Sequence, residues 1–204
     1  MSPDELIALL AFATAMSFTP GPNTLLSTAL AANYGLRRAW RFIVAVPAGW
    51  TLMMLASALG LGALVMALPW LRVAIQWLGV AYLVWLAWKL ASSRELAPLA
   101  EGGIAVGFWQ GVGLQFLNVK AWMLAFALAA GWVASAAGRV STNPGERLAI
   151  VCGVMVVFAL ASNTLYAVAG SLLRRMLTHG NRLAWFNRAM ALLLVATAAW
   201  MAAL

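Results

Sequence analysis

The sequence predicts an all-α membrane protein with six transmembrane helices, and three observations lead to this fold class. First, 65% of the 204 residues are hydrophobic and only 9% are charged, whereas soluble domains are about half apolar and about a quarter charged. Second, the mean hydropathy is +0.92. Third, the apolar residues form runs as long as the ~20 residues that a helix needs to cross a ~30 Å hydrocarbon core. We therefore expect one integral membrane domain over residues 1-204, surrounded by membrane lipid.

Short breaks that carry charged residues and turn formers separate the six predicted helices. The helices occupy residues 5–33, 39–67, 71–91, 104–137, 147–173 and 183–204. The breaks fall at residues 34–38, 69–72, 92–103, 138–146 and 174–182. Three crossings in each half, about 1-95 and 103-204, return the chain to the opposite side of the membrane. The second half then enters inverted, so the first and fourth helices correspond and the pattern predicts two inverted three-helix repeats.

Particular residues mark the individual helices. The first helix follows Asp4 and Glu5, and no Lys or Arg precedes Arg37. It therefore lacks the basic start of a signal peptide, and we expect it to be retained. In the third helix, Trp70 and Trp88 stand near opposite ends, where aromatic rings anchor a helix at the two membrane interfaces.

Lys and Arg residues collect at one end of the predicted bundle, nine of them against three at the other end. The nine are Arg37, Arg38, Arg41, Lys89, Arg94, Arg174, Arg175, Arg182 and Arg188, and the three are Arg72, Arg139 and Arg147. Cytoplasmic loops carry an excess of Lys and Arg. We therefore expect the end with nine to be cytoplasmic and both termini to be periplasmic, in the inner membrane of a Gram-negative cell.

Several function classes are disfavoured by the residue types present. The net charge is +8, but no basic face interleaved with aromatic residues is visible, so nucleic acid is not an expected partner. The single cysteine, Cys152, and the single histidine, His179, provide neither a metal cluster nor a catalytic pair, so no metal, cofactor or enzyme activity is expected. No phosphate-binding P-loop occurs. Acidic residues fall only at helix ends and in loops, so a carboxylate proton relay has no obvious members.

The first predicted helix contains an interruption, Pro20-Gly21-Pro22. Each proline removes a backbone donor and clashes with the preceding turn, so carbonyls about one turn upstream lose their partners. Such groups cost several kcal/mol in hydrocarbon unless protein or a water-filled cavity satisfies them. A broken helix near the membrane midplane is a sequence indication of a transport site. Asn23 beside the break adds an amide donor and acceptor.

The fourth predicted helix has Gln115, Asn118 and Lys120 deep in its interior. A charge at the bilayer centre costs roughly 2.5–3.5 kcal/mol on insertion scales, so Lys120 needs a compensating environment. One interpretation is a cavity, where its amine attracts a substrate carboxylate or takes part in proton movement. The alternative is a helix that begins near Asn118, leaving 104–117 interfacial and Lys120 snorkelling to the headgroups. Asn163 in the fifth helix has two interpretations as well, a substrate contact or an interhelical hydrogen bond.

Several motifs occur together over nearly the whole chain. They are Thr19-Pro20-Gly21-Pro22-Asn23, the Gly35 loop with its arginines, Gly49, Leu59-Gly60, the run from Ala81 to Lys89, and Asn118-Val119-Lys120. With these motifs the chain resembles the LysE/RhtB family of amino-acid exporters. Many members have Asn-Pro-Lys at the last motif and an acidic residue in place of Trp50. These two departures, with Leu114-Gln115-Phe116, resemble the cysteine/O-acetylserine exporter branch, and the missing acid suits a neutral substrate.

The resemblance implies efflux of small neutral amino acids, with cysteine and O-acetylserine as the best match, driven by the proton gradient and compatible with a homodimer. Together with the two interruptions, it predicts a substrate site between the first and fourth helices. The predicted substrate-binding residues are Pro20, Gly21, Pro22, Asn23, Gln115, Asn118, Lys120 and Asn163. The sequence leaves open export of another neutral amino acid such as homoserine, threonine or leucine, a pore, and a non-transport membrane assembly subunit.

Overall fold

The first half of the protein folds into five helices. A computed structural model describes residues 1–93, 106–136, 139–140, 142–177 and 181–203, without the side chains of Lys120 and of the residues from 135 to 140. The helices are α1 (Pro3–Phe18), α2 (Pro22–Tyr34), α3 (Leu36–Ala58), α4 (Leu61–Ala67) and α5 (Pro69–Ser92). The first predicted membrane helix is therefore two helices, α1 and α2, joined by a three-residue break.

The second half contains four α-helices and a short strand pair in the described ranges. The α-helices are α6 (Phe108–Phe116), α7 (Val119–Leu128), α8 (Pro144–Leu177) and α9 (Arg182–Ala202), and α7 continues as the π-helical segment Ala129–Ala134. Strands β1 (Ser135–Ala136) and β2 (Arg139–Val140) pair antiparallel, with Ser135 opposite Val140. The fourth predicted membrane helix is thus also divided, between α6 and α7.

Four described helices, α3, α5, α8 and α9, are long and apolar enough to cross a membrane. A fifth span results if α6 and the helical segment that follows it, bent by 71° at their break, are counted as one. These spans support the all-α membrane fold class. The six-helix architecture with inverted repeats stays a prediction, since α1 and α2 have 16 and 13 residues and neither alone reaches the ~20 that a crossing needs.

The second predicted helix, 39–67, is wrong as a single helix. Its first part, α3, ends at Ala58, and α4 begins only at Leu61. Gly60 between them has φ +98°, a left-handed conformation that glycine adopts without steric cost and that ends many helices. The apolar run continues through this turn, so its composition did not indicate the end of the helix.

The predicted break at 69–72 is also wrong, because only Leu68 separates α4 from α5. Pro69 occupies the first position of α5, where a missing N–H group costs no helical hydrogen bond and the fixed φ of proline favours the helix. Four of the described helices begin at a proline, namely α1 at Pro3, α2 at Pro22, α5 at Pro69 and α8 at Pro144.

The buried apolar side chains form two large clusters that follow one another along α3. One contains Phe42 and Ile43 of α3 together with Leu86 of α5. The other contains Met53 of α3 and Leu128 of α7. Because α3 passes through both clusters, they meet near the middle of this helix.

Two glycines allow helices to approach the backbone of a neighbour closely. A methyl group on Gly79 of α5 would overlap the carbonyl oxygen of Leu117, in the break between α6 and α7. A methyl group on Gly170 of α8 would overlap the carbonyl oxygen of Thr28 in α2. Small residues at helix interfaces permit such close packing in membranes. The second break is therefore in direct backbone contact with α5. The helix that follows the first break, α2, is in direct backbone contact with α8.

Candidate functional site

The interruption of the first segment consists of Thr19, Pro20 and Gly21, between the end of α1 and the start of α2. Side chains satisfy backbone groups that the break sets free. The Tyr166 hydroxyl of α8 donates to the carbonyl oxygen of Phe18 at 3.0 Å. The Gly21 N–H donates at 2.9 Å to the hydroxyl oxygen of Thr24. The double proline thus produces the break that the sequence predicts, and protein side chains stabilise it.

The second interruption consists of Leu117 and Asn118, between α6 and α7. Asn118 caps the new helix, because its Oδ1 accepts a hydrogen bond from the Ala121 N–H at 3.4 Å. The Trp122 indole N–H donates to the carbonyl oxygen of Phe116 at 2.9 Å. α7 begins directly after Asn118. This start agrees with the alternative in which the helix begins near Asn118.

A reciprocal pair of amide hydrogen bonds joins the two interrupted segments. The Nδ2 of Asn23 in α2 donates to Oε1 of Gln115 in α6 at 2.9 Å, and the Nε2 of Gln115 donates to Oδ1 of Asn23 at 3.1 Å. Gln115 is 1% exposed, and its Nε2 also donates to the carbonyl oxygen of Gly111 at 3.1 Å. Two residues predicted to bind substrate are therefore in direct contact across the two halves of the chain.

Asn163 of α8 forms interhelical hydrogen bonds, which was one of its two interpretations. Its Oδ1 accepts from the Ser27 hydroxyl of α2 at 2.8 Å, and its Nδ2 donates to the carbonyl oxygen of Ala159 at 2.9 Å. The bond from Ser27 links α8 to the helix that follows the first break, whereas the bond to Ala159 lies within α8. A substrate contact by Asn163 stays a prediction.

A cavity of about 140 Å³ lies between the two breaks. One water molecule needs about 10–15 Å³ of such space, so the cavity has room for a small amino acid. Seven of the eight predicted site residues line it, namely Pro20, Gly21, Pro22, Asn23, Gln115, Asn118 and Asn163. The described lining also includes Met16, Ser17, Thr19, Thr24, Val46, Trp50, Ala121, Leu124, Met155, Ala159 and Ser162. None of these lining residues carries a charge.

The cavity lies at the level where the two apolar clusters meet. Val46, from the first cluster, and Trp50, from the second, both line it from the middle of α3. Met155 and Asn163 line it from the middle of α8. Transporters with broken helices hold their substrates near the bilayer midplane. This cavity lies halfway along α3 and α8, two helices long enough to cross a membrane.

The positive ends of two helices lie beside this cavity. Pro22 and Asn23, in the first turn of α2, and Asn118, the cap of α7, are among its lining residues. Unpaired N–H groups and the helix dipole make a helix N-terminus attractive to an anionic group. The arrangement therefore provides electrostatic attraction for a carboxylate, although the described lining has no charged side chain.

Lys120 is the predicted site residue whose position relative to the cavity is not described. It lies in the first turn of α7, next to the capped break, but its side chain is outside the described part of the chain. A cavity-facing amine and an amine at the headgroups therefore both remain predictions for this residue.

An ion pair that the sequence pattern did not indicate joins the start of α1 to the start of α8. Arg147 donates to the carboxylate of Glu5 at 2.8 and 3.2 Å, and its Nε donates to the carbonyl oxygen of Trp132. The Arg147 side chain is 6% exposed and that of Glu5 is 20% exposed. The one local signal was the capping box in which Ser2 and Glu5 exchange hydrogen bonds, which fixes the start of α1.

Comparison with known proteins shows the family to which the chain belongs. The LysE type translocator family matches residues 14–203. A cysteine/O-acetylserine efflux protein of Klebsiella pneumoniae is 32% identical over 193 residues, which cover 93% of this chain and 94% of that relative. Cysteine/O-acetylserine efflux proteins of Salmonella typhimurium and Escherichia coli K12 are 32% identical over 201 residues, 96% of each chain. No solved structure matches. The chain therefore belongs to the LysE type translocator family.

Proposed function

We propose that this protein exports small neutral amino acids from the cell, with cysteine and O-acetylserine as substrates. The observation that carries the proposal is the cavity between two broken helices, whose described lining combines amides with apolar side chains and has no charged group. Such a lining suits a zwitterion with a short, uncharged side chain. The relatives named as cysteine/O-acetylserine efflux proteins support the same substrate class.

The substrate would bind by its two charged groups. Its carboxylate would lie toward the first turns of α2 and α7, whose N–H groups and dipoles favour a negative charge. Lys120, in the first turn of α7, would add a full positive charge. The ammonium group would use amide oxygens, and Asn23 and Gln115 could exchange their mutual hydrogen bonds for bonds to the substrate at modest net cost.

Transport would proceed by alternating access between two inverted halves. In this scheme α1 with α2 and α6 with α7 are the first and fourth of six membrane-spanning segments, and one half rocks against the other around the cavity. The proton gradient would drive the cycle. The basic end of the bundle would face the cytoplasm and both termini the periplasm, so that the Glu5–Arg147 pair would hold the periplasmic end closed.

The test is flux through purified protein in liposomes, with and without an imposed pH difference. Labelled cysteine and O-acetylserine should move, and the pH difference should accelerate them. Homoserine, threonine and leucine, added as competitors, should inhibit more weakly. A wild-type protein that moves none of these substrates would contradict the proposal and favour an assembly role. Flux insensitive to the pH difference would favour a pore.

A matched pair of lysine variants tests the role of Lys120. Lys120→Met should abolish export, because the carboxylate loses its charged partner. Lys89→Met is the control, since the Lys89 amine lies 4.4 Å over the Trp85 ring near the end of α5 and does not line the cavity. Equal export by the two variants would refute the role of Lys120 while leaving the export function intact.

A further inference from the structure

We propose that Trp50 sets the upper size of the side chain that this transporter exports. The inference rests on the proposed export function and deepens it, because it names the residue that separates short neutral amino acids from large ones. Trp50 is the one aromatic side chain among the described residues that line the cavity. It is therefore the largest side chain in the described lining.

The Trp50 side chain is mostly buried, and the residue is among those that line the cavity. The residue is 7% exposed and belongs to the apolar cluster that contains Met53 and Met54, both fully buried one turn farther along α3. Trp50 and these two methionines are thus packed in the same buried cluster. Because protein interiors are close-packed, the ring cannot withdraw into the cluster to make room for a larger substrate.

The backbone at Trp50 is fixed as well. A methyl group on the preceding residue, Gly49, would lie 2.8 Å from both the Cγ of Gln115 and the carbonyl oxygen of Val112. The middle of α3 is therefore in direct contact with α6. Gln115 is in turn hydrogen-bonded to Asn23 beside the first break. Trp50 thus stands on a rigid part of the site and not on a mobile loop.

Part of the apolar lining is adaptable, in contrast with the indole ring. Met16, Leu124 and Met155 also line the cavity, and unbranched methionine side chains adjust to differently shaped neighbours. A bulky substrate could displace these side chains by changing their rotamers. It could not displace a buried indole ring on a fixed backbone, so Trp50 decides which side chains fit.

The experiment compares the transport efficiency for leucine and for O-acetylserine in proteoliposomes containing wild-type protein, Trp50→Leu or Trp50→Ala. We expect the ratio of leucine to O-acetylserine kcat/KM to rise roughly 10-fold or more in both variants, since even one methylene group in an apolar pocket changes specificity by about 10-fold or more. Phenylalanine should change from a non-substrate to a substrate in Trp50→Ala. Trp50→Leu retains an apolar side chain, so it tests the inference even if the alanine variant does not fold.

Ile43→Ala is the matched control, because it shortens a buried side chain of the same helix that belongs to the other apolar cluster and does not line the cavity. The control should leave the substrate ratio within about twofold of wild type, the size expected of a change remote from the site. An unchanged ratio in folded Trp50→Leu protein would overturn the inference, and so would an equal shift in Ile43→Ala. Wild-type protein that moves O-acetylserine in the same assay separates this outcome from a failure of the proposed export function.

Discussion

Replacing Glu5 with Gln should destabilise the fold more than any surface charge change, because Arg147 would remain buried without a countercharge. Arg147 is 6% exposed and donates two hydrogen bonds to the Glu5 carboxylate, at 2.8 and 3.2 Å. Its Nε donates to the carbonyl oxygen of Trp132. The pair is therefore a connection between α1, α8 and the π-helical segment, and not a solvated surface contact.

The expected loss follows from this geometry. Removing one partner of a fully buried ion pair costs about 3–5 kcal/mol. Glu5 is 20% exposed, and a glutamine oxygen can still accept one hydrogen bond from Arg147. We therefore expect Glu5→Gln to lower the free energy of unfolding by about 2 kcal/mol, the range of a hydrogen bond to a charged group. Arg147→Met should cost more, because the Trp132 carbonyl then also loses its donor.

The assay is reversible unfolding in mixed detergent micelles, with Asp4→Asn as the control. Asp4 is exposed and adjacent to Glu5, so its substitution should change the free energy by less than about 0.5 kcal/mol. The double variant Glu5→Gln/Arg147→Met should be more stable than the sum of the two single changes predicts. Additive effects, or equal stability of Glu5→Gln and Asp4→Asn, would refute the buried ion pair.

Two further predictions concern the contacts that hold the breaks in place. Gly79→Ala should impair folding and export at a cost of about 1–3 kcal/mol for overpacking, because its methyl group would overlap the Leu117 carbonyl oxygen. Gly113→Ala is the control and should be neutral, since its methyl group meets no atom within 4 Å. Equal thermal stability of the two variants would contradict the close contact. Ser27→Ala should lower the free energy of unfolding by about 1 kcal/mol, because it removes the 2.8 Å hydrogen bond to Asn163. Unfolding of Ser27→Ala, Asn163→Ala and the double variant should show energetic coupling between the two residues. Independent effects would argue against the bond.

The positions of both helix breaks could be predicted from local chemistry. Pro20 and Pro22 cannot continue a helix, so the end of α1 follows from the chain itself, whatever packs around it. Asn118 is a favourable helix cap, and α7 begins directly after it. One of the two interpretations of the fourth segment had the helix begin near this residue. Polar residues beside these breaks, such as Asn23 and Gln115, line the cavity. An interrupted backbone and amide side chains both need polar surroundings in an apolar protein, so they occur together.

Features that depend on distant residues could not be predicted in this way. Glu5 and Arg147 are 142 positions apart, and each taken alone resembles an ordinary charge near the end of a helix. Met155 and Ser162 line the cavity, but they lie in a continuous apolar helix whose pattern does not distinguish the cavity side. Gly60 ends α3 by its backbone conformation, although the apolar run around it continues.

The attachments of α1 have a consequence for biosynthesis. Three of its polar partners in the described part of the chain, Trp132, Arg147 and Tyr166, follow 127 to 148 residues later. During synthesis α1 therefore reaches the bilayer long before any of them exists, and contacts between such distant residues form slowly. Truncation before α8 should therefore deprive α1 of Arg147 and Tyr166 and make it more accessible to membrane proteases than it is in the full-length protein.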